Sequence, residues 1–193
     1  MVNTAKQDRQ DVIQKATGLF WEKGFHATSM RNIQQVIDMR PGSIYASFGS
    51  KEGLFKETLH HYAHTGLARL DACAEASSSP LEGLKLFITE SVTGSRKSAP
   101  SGMCMLVKTI SELTHDNADL LAEAKRLLGV IEEAFAVLLV QAKERGELDS
   151  SKDPERLARY LQVQLMGLRA YARANDDDAH IDALIEDALG CLG

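Results

Sequence analysis

The stretch from Ser29 to Lys51, SMRNIQQVIDMRPGSIYASFGSK, constrains this chain more than any other. It spells two short helices with a tight turn between them. Ser29 is placed to cap the first, its hydroxyl accepting from an amide one turn on. Met30, Ile33 and Ile37 follow at spacings of three and four, a single apolar helical face. Asp38 stands where that helix must end, and Asp tolerates the left-handed backbone better than most non-glycine residues. Pro41 opens the second helix, since a first-turn residue has no amide partner to lose. From Pro41 to about Phe48, Ile44 and Phe48 turn inward while Ser43, Tyr45, Ala46 and Ser47 stay outside. A short helix with small, polar outer residues suits the major groove of DNA, where bulk would clash. Ser50 then caps a third helix, with Lys51 in its first turn.

The rest of the chain reads as helix throughout. Thr4 to Lys23 carries Val12, Ile13, Ala16, Leu19 and Phe20 on one face and stops at Gly24. A long helix runs from Ser50 to about Ala76. Ser77-Ser78-Ser79-Pro80 is a linker, and Pro80 starts a helix striped by Leu81, Leu84, Phe87, Ile88 and Val92. Gly94 to Gly102 is a turn-rich break. Further helices are predicted over Met103–Leu113, Asn117–Arg145, Pro154–Arg173 and Ala179–Leu192, with Asn117 and Asp153 as caps. No strand pattern appears. The expected fold is all-α, about nine helices, with an N-terminal helix-turn-helix head (residues 1–50) on a larger helical body (residues 51–193).

Composition narrows the function classes. Four prolines leave long helices possible, and no run of about 18 apolar residues suggests a membrane span. The polar start MVNTAKQDRQD lacks an apolar leader core, so the expected location is cytoplasmic. The net charge of −5 is unevenly spread. Residues 1–60 hold eight Lys/Arg and six Asp/Glu, a net of +2, which leaves −7 for the remainder. A mildly basic head on an acidic body can hold phosphates locally. Three cysteines without CxxC spacing suggest neither a disulfide framework nor a zinc site. His60, His61 and His64 lie together on the long helix, but no fourth ligand completes a metal set, and they read as a solvated face. No GxSxG, HExxH, GxxxxGK[ST] or GxGxxG motif occurs, so no enzyme, cofactor or metal is expected.

Gly24-Phe25, Thr28-Ser29, Ile33, Gly42, Ile44-Tyr45, Phe48, Ser50-Lys51-Glu52 and Leu54 together resemble the DNA-binding head of the tetracycline-repressor (TetR) family. Spacing and residue type agree across about thirty positions. Two positions depart: Asp38 stands where the turn usually has glycine, and Ser47 where histidine is frequent. The resemblance continues into the body. There GMCMLVKTISEL, AKERGEL and DPERLARYLQVQLMGLRAYAR are similar to the NemR-like, electrophile-responsive subgroup, with Met103 separating Gly102 from Cys104.

The resemblance implies a transcriptional regulator, a repressor that binds a palindromic operator in double-stranded DNA as a homodimer and is released by a small-molecule or electrophilic effector. On the head, Thr28, Ser29, Arg31, Tyr45 and Lys51 are the expected phosphate-side residues, and phosphate contacts fix register without reading sequence. Arg40, Pro41, Gly42, Ser43, Ala46 and Ser47 lie at the groove edge. Arg40 suits a guanine contact or another phosphate, and Ala46 a thymine methyl. Phe87, Cys104, Met105, Lys108, Leu128, Ile131 and Phe135 are the expected effector pocket, although a core stripe looks identical in sequence. Cys104 lies one turn from Lys108, whose ammonium would favour the reactive thiolate; a small buried hydrophobe is the other reading of that cysteine. Leu157, Leu161, Leu165, Leu168, Ile181, Leu184, Ile185 and Leu189 are expected to pair two subunits as a four-helix bundle. Two alternatives stay open: a regulator switched covalently at Cys104, and a helical module that binds a protein partner and no DNA.

Overall fold

A computed structural model describes the backbone of residues 2–192 and the side chains of residues 9–94 and 99–192. Met1, Gly193 and the side chains of Lys6 and Asp8, counted above, lie outside the described residues. Those residues form nine α-helices and no strand: α1 Val2–Lys23, α2 Met30–Ile37, α3 Pro41–Phe48, α4 Lys51–Ala76, α5 Pro80–Ser98, α6 Met105–Glu112, α7 Ala118–Glu144, α8 Pro154–Ala174 and α9 Asp178–Leu189. Short 3₁₀ turns cover His115–Asn117 and Gly190–Leu192.

Local chemistry sets most of these boundaries. Ser79 and Asp153 accept amides of the first turns of α5 and α8, and Pro80 and Pro154 occupy the positions just inside. Asp177 caps α9, accepting from Ala179 and His180. Two expectations fail. The break placed at Gly94 begins only at Ala99, because α5 runs through Ser98. A lone glycine costs a helix about 1 kcal/mol, and buried Val92 holds that stretch in an apolar cluster; Pro100 is what ends it, by disfavouring helix at the residue before. Asn117 does not cap α7. It lies in the 3₁₀ turn, and its buried Oδ1 has no hydrogen-bond partner.

The helices pack as two compact units, residues 1–64 with 105–127, and residues 65–104 with 128–193. The first unit therefore contains α1 to α3, the first half of α4, α6 and the start of α7. Phe20, Ile33, Ile44, Leu54, Phe55, Leu59, Met105 and Leu106 are its fully buried large side chains, each stabilising by about 1.5–3 kcal/mol. The Phe55 ring meets Phe20 edge-on at 4.8 Å and Phe25 at 5.0 Å. The second unit has two apolar clusters. One joins Leu70, Leu84, Phe87, Ile88, Phe135, Leu139 and Leu161. The other joins Val92, Leu168, Ala172, Ile181 and Ile185.

Candidate nucleic-acid interface

The helix-turn-helix is built by its own sequence. Ser29 and Asn32 form a reciprocal capping box: the Asn32 amide donates to the Ser29 hydroxyl at 3.2 Å and the Ser29 amide to Asn32 Oδ1 at 3.0 Å. Ile33 and Ile37 bury the inner face of α2. Asp38 closes it in the left-handed region, φ 54° and ψ 45°, the one non-glycine residue with positive φ among those described. Pro41 then starts α3. At the far end Gly53 is forced by packing, since a Cβ there would lie 2.1 Å from the Phe48 carbonyl oxygen. That close approach keeps the corner between α3 and α4 tight.

On α3 only Ile44 is buried and Phe48 half-buried, while Pro41, Gly42, Ser43, Tyr45, Ala46 and Ser47 are all exposed, as is Arg40 just before them. Tyr45 is 48 % exposed, and its ring stands on the surface rather than in the core. Arg40 makes no capping bond to the helix it precedes. Ser29 and Arg31 are exposed at the start of α2. Across Ser29–Lys51 the chain carries three bases, Arg31, Arg40 and Lys51, against one acid, Asp38. The surface is small, cationic and free of bulk other than Tyr45. Two expected phosphate residues differ from the rest. Thr28 is fully buried, and its hydroxyl donates to the Gly24 carbonyl at 2.6 Å. Lys51 is half-buried, with Nζ 4.3 Å from the centre of the Phe25 ring. Burial pushes its ammonium pKa down.

The remaining expected residues fall into two groups. Met105 and Lys108 belong to the first unit. Met105 is buried, and Lys108 Nζ donates to the carbonyls of Trp21 and Glu22 at 3.1 and 2.6 Å. That ammonium is thus committed to the end of α1. Cys104, Phe87, Leu128, Ile131 and Phe135 belong to the second unit. Phe87 and Phe135 stack edge-on at 5.8 Å inside its core, with Ile131 packed against them. Sequence reasoning missed Gln162, a buried α8 residue that donates to the Leu128 carbonyl at 3.3 Å. Its signal was a polar residue among the leucines of a stripe. A cavity of about 560 Å³ in this unit lies elsewhere, beside Ser101, Gly102, Arg173, Asp176, Asp178 and Asp182. Of the expected pairing residues, Leu161, Leu168, Ile181 and Ile185 are buried in the subunit's own core, Leu157, Leu165 and Leu189 are half-buried, and Leu184 is exposed. The outward face of α8 carries Tyr160, Val163, Gly167 and Tyr171 instead.

Residues 12–58 match the family described as bacterial regulatory proteins, tetR family, and residues 80–187 match the tetracyclin repressor-like C-terminal domain. The chain belongs to the TetR family. It is a DNA-binding transcriptional regulator. Among TetR relatives, the Escherichia coli repressor ComR is 29 % identical over 185 residues, covering 94 % of this chain and 85 % of ComR. A cysteine-substituted form of the TetR regulator CifR, solved in complex with a 26-base-pair operator duplex, superimposes with a TM-score of 0.83 at 27 % identity, covering 95 % and 96 % of the two chains. The reduced form of Escherichia coli NemR aligns with a TM-score of 0.77 at 18 % identity, over 96 % and 95 %. That likeness is one of fold alone, and NemR is a distant structural neighbour of this chain.

Proposed function

We propose that this TetR regulator is a repressor that occupies a palindromic operator as a homodimer and leaves it when a small effector binds the body. Residues 1–50 read the DNA in this reading, and residues 51–193 carry effector binding and pairing. The exposed run from Arg40 to Ser47, with Ile44 as its buried anchor, carries the proposal. Its N-terminal end is positioned for base edges, with Arg40 as the guanine reader and Ala46 against a thymine methyl. Ser29, Arg31, Tyr45 and Lys51 serve the phosphates, and buried Thr28 holds the backbone that presents them.

Pairing is assigned to the outer faces of α8 and α9, through Tyr160, Val163, Tyr171 and Leu184, with Gly167 leaving room for a partner helix to approach. Half-buried Leu165 and Leu189 border that face. An isologous bundle of this kind sets the two heads roughly 34–36 Å apart, one turn of DNA.

For the effector, Phe87, Leu128, Ile131 and Phe135 are the assigned apolar wall, with Gln162 as the polar group. Its buried Oε1 has no protein partner. An unpaired buried acceptor costs about 1–3 kcal/mol, so an effector carrying a hydroxyl or amide donor is favoured there. A gel shift against the duplex upstream of the chain's own gene tests the whole reading. A sequence-specific shift, lost to an effector, is expected. A shift that no effector removes would overturn release by an effector.

A thiol switch at Cys104 is the second reading. Cys104 is half-exposed and immediately precedes α6. Burial pushes the Cys73 and Cys191 thiols up, away from the reactive thiolate.

A further inference from the structure

Lys108 and Glu112 lie one turn apart on α6, and both reach backbone rather than each other. Lys108 Nζ donates to the Trp21 and Glu22 carbonyls, in the last turn of α1, where carbonyls have no partner within the helix. An ammonium there also complements the helix dipole. The Glu112 carboxylate accepts the Phe25 amide at 3.0 Å and the His26 amide at 2.6 Å. Gly24 stands between the two grips with φ +88°, and a Cβ on it would fall 2.5 Å from Glu112 Oε2. The carboxylate is therefore seated flush on the connector between α1 and α2.

The same connector is held from its inner side. Phe25 is buried against Phe55, and the Thr28 hydroxyl is bonded to the Gly24 carbonyl. The next residue, Ser29, caps α2. The path of residues 24–28 thus determines where α2 begins and how α3 is presented. Two charge-assisted hydrogen bonds from α6 reach that path and two more hold the last turn of α1 just before it, and such bonds are stronger than neutral ones.

We propose that Lys108 and Glu112 are positioning residues for operator reading: together they latch the α1–α2 connector onto α6 and keep the helix-turn-helix in its DNA-reading orientation. Neither residue touches DNA. Opening the latch lowers the fraction of competent heads, and apparent affinity falls with that fraction. The inference rests on the DNA-binding reading and adds to it two residues outside the head's own motif.

The test uses the full-length dimer and the duplex that the wild-type protein selects from a random library. Lys108→Met and Glu112→Gln are each expected to weaken operator binding about tenfold, and Lys108→Arg to stay within about twofold of wild type. The exchanged pair Lys108→Glu/Glu112→Lys keeps an oppositely charged i, i+4 pair on α6 but presents the wrong sign to each backbone group. It is expected to bind no better than the single variants. Amide hydrogen exchange at Phe25 and His26 should quicken in Glu112→Gln. Unchanged operator affinity in Lys108→Met and Glu112→Gln, even with lowered melting temperature, would reduce the latch to a stabilising contact and overturn the proposal. Wild-type affinity in the exchanged pair would overturn it too, by showing that the two residues serve each other. Failure of the wild type to select any duplex would count against the regulator reading, while unchanged exchange at Phe25 and His26 counts against the latch whatever the DNA result.

Discussion

His60 Nε2 on α4 stands 2.8 Å from a carboxylate oxygen of Glu123 on α7, and the Arg126 guanidinium donates to the same oxygen at 2.6 Å. The Arg126 hydrogen bond is the main reason the Glu123 pKa lies below its ordinary value of 4.5, with the charges of Arg126, His60 and Lys56 adding to it. A carboxylate with a depressed folded-state pKa stabilises the fold above its unfolded value, and that contribution is lost as pH falls through the folded one. Glu123→Gln is therefore expected to lower the melting temperature at neutral pH and to match wild type once the pH is well below 4.5. Denaturation across that range checks it. A deficit that persists in acid would assign the loss to packing.

Arg40 and Arg31 should separate by kind of effect. Arg40→Ala is expected to relax preference at one base pair, costing about 1–3 kcal/mol on the selected operator. Arg31→Ala should weaken every duplex alike and flatten the dependence of log K on log salt by about one unit. Binding curves at several salt concentrations, on operator and on scrambled duplex, read both.

Val163 and Leu161 are two residues apart on α8 and should fail differently. Val163 is 59 % exposed and Leu161 1 %. Val163→Glu is expected to yield helical monomers that lose operator affinity. Leu161→Glu places an unpaired charge in the core, costs several kcal/mol and unfolds the subunit. Sedimentation and circular dichroism distinguish them. A Val163→Glu dimer would move the interface away from α8.

Maleimide treatment tests the thiol. Release of operator by the wild type and by Cys73→Ser and Cys191→Ser, but not by Cys104→Ser, would support a switch at Cys104. Equal release in all four, or in none, leaves reversible binding as the trigger. Lys108, expected to favour the Cys104 thiolate, instead donates to the Trp21 and Glu22 carbonyls at the end of α1.

What the sequence determined by itself is local. The capping box at Ser29, the left-handed Asp38 and the prolines opening α3, α5 and α8 act within a few residues, so their geometry follows from residue type and spacing. The exposure of α3 was legible for the same reason: a helix of eight residues with one fully buried position leaves the others outside. Tertiary structure decided what spacing cannot. A leucine stripe marks a face to be buried but does not name its partner, which is why Leu161, Leu168, Ile181 and Ile185 could be read as a dimer seam when they fill the subunit's own core. Lys108 and Glu112 lie more than eighty residues from the backbone groups they hold. A side chain that recognises a peptide carbonyl or amide leaves no mark on the identity of the residue it binds, so only the folded chain brings that pairing into view.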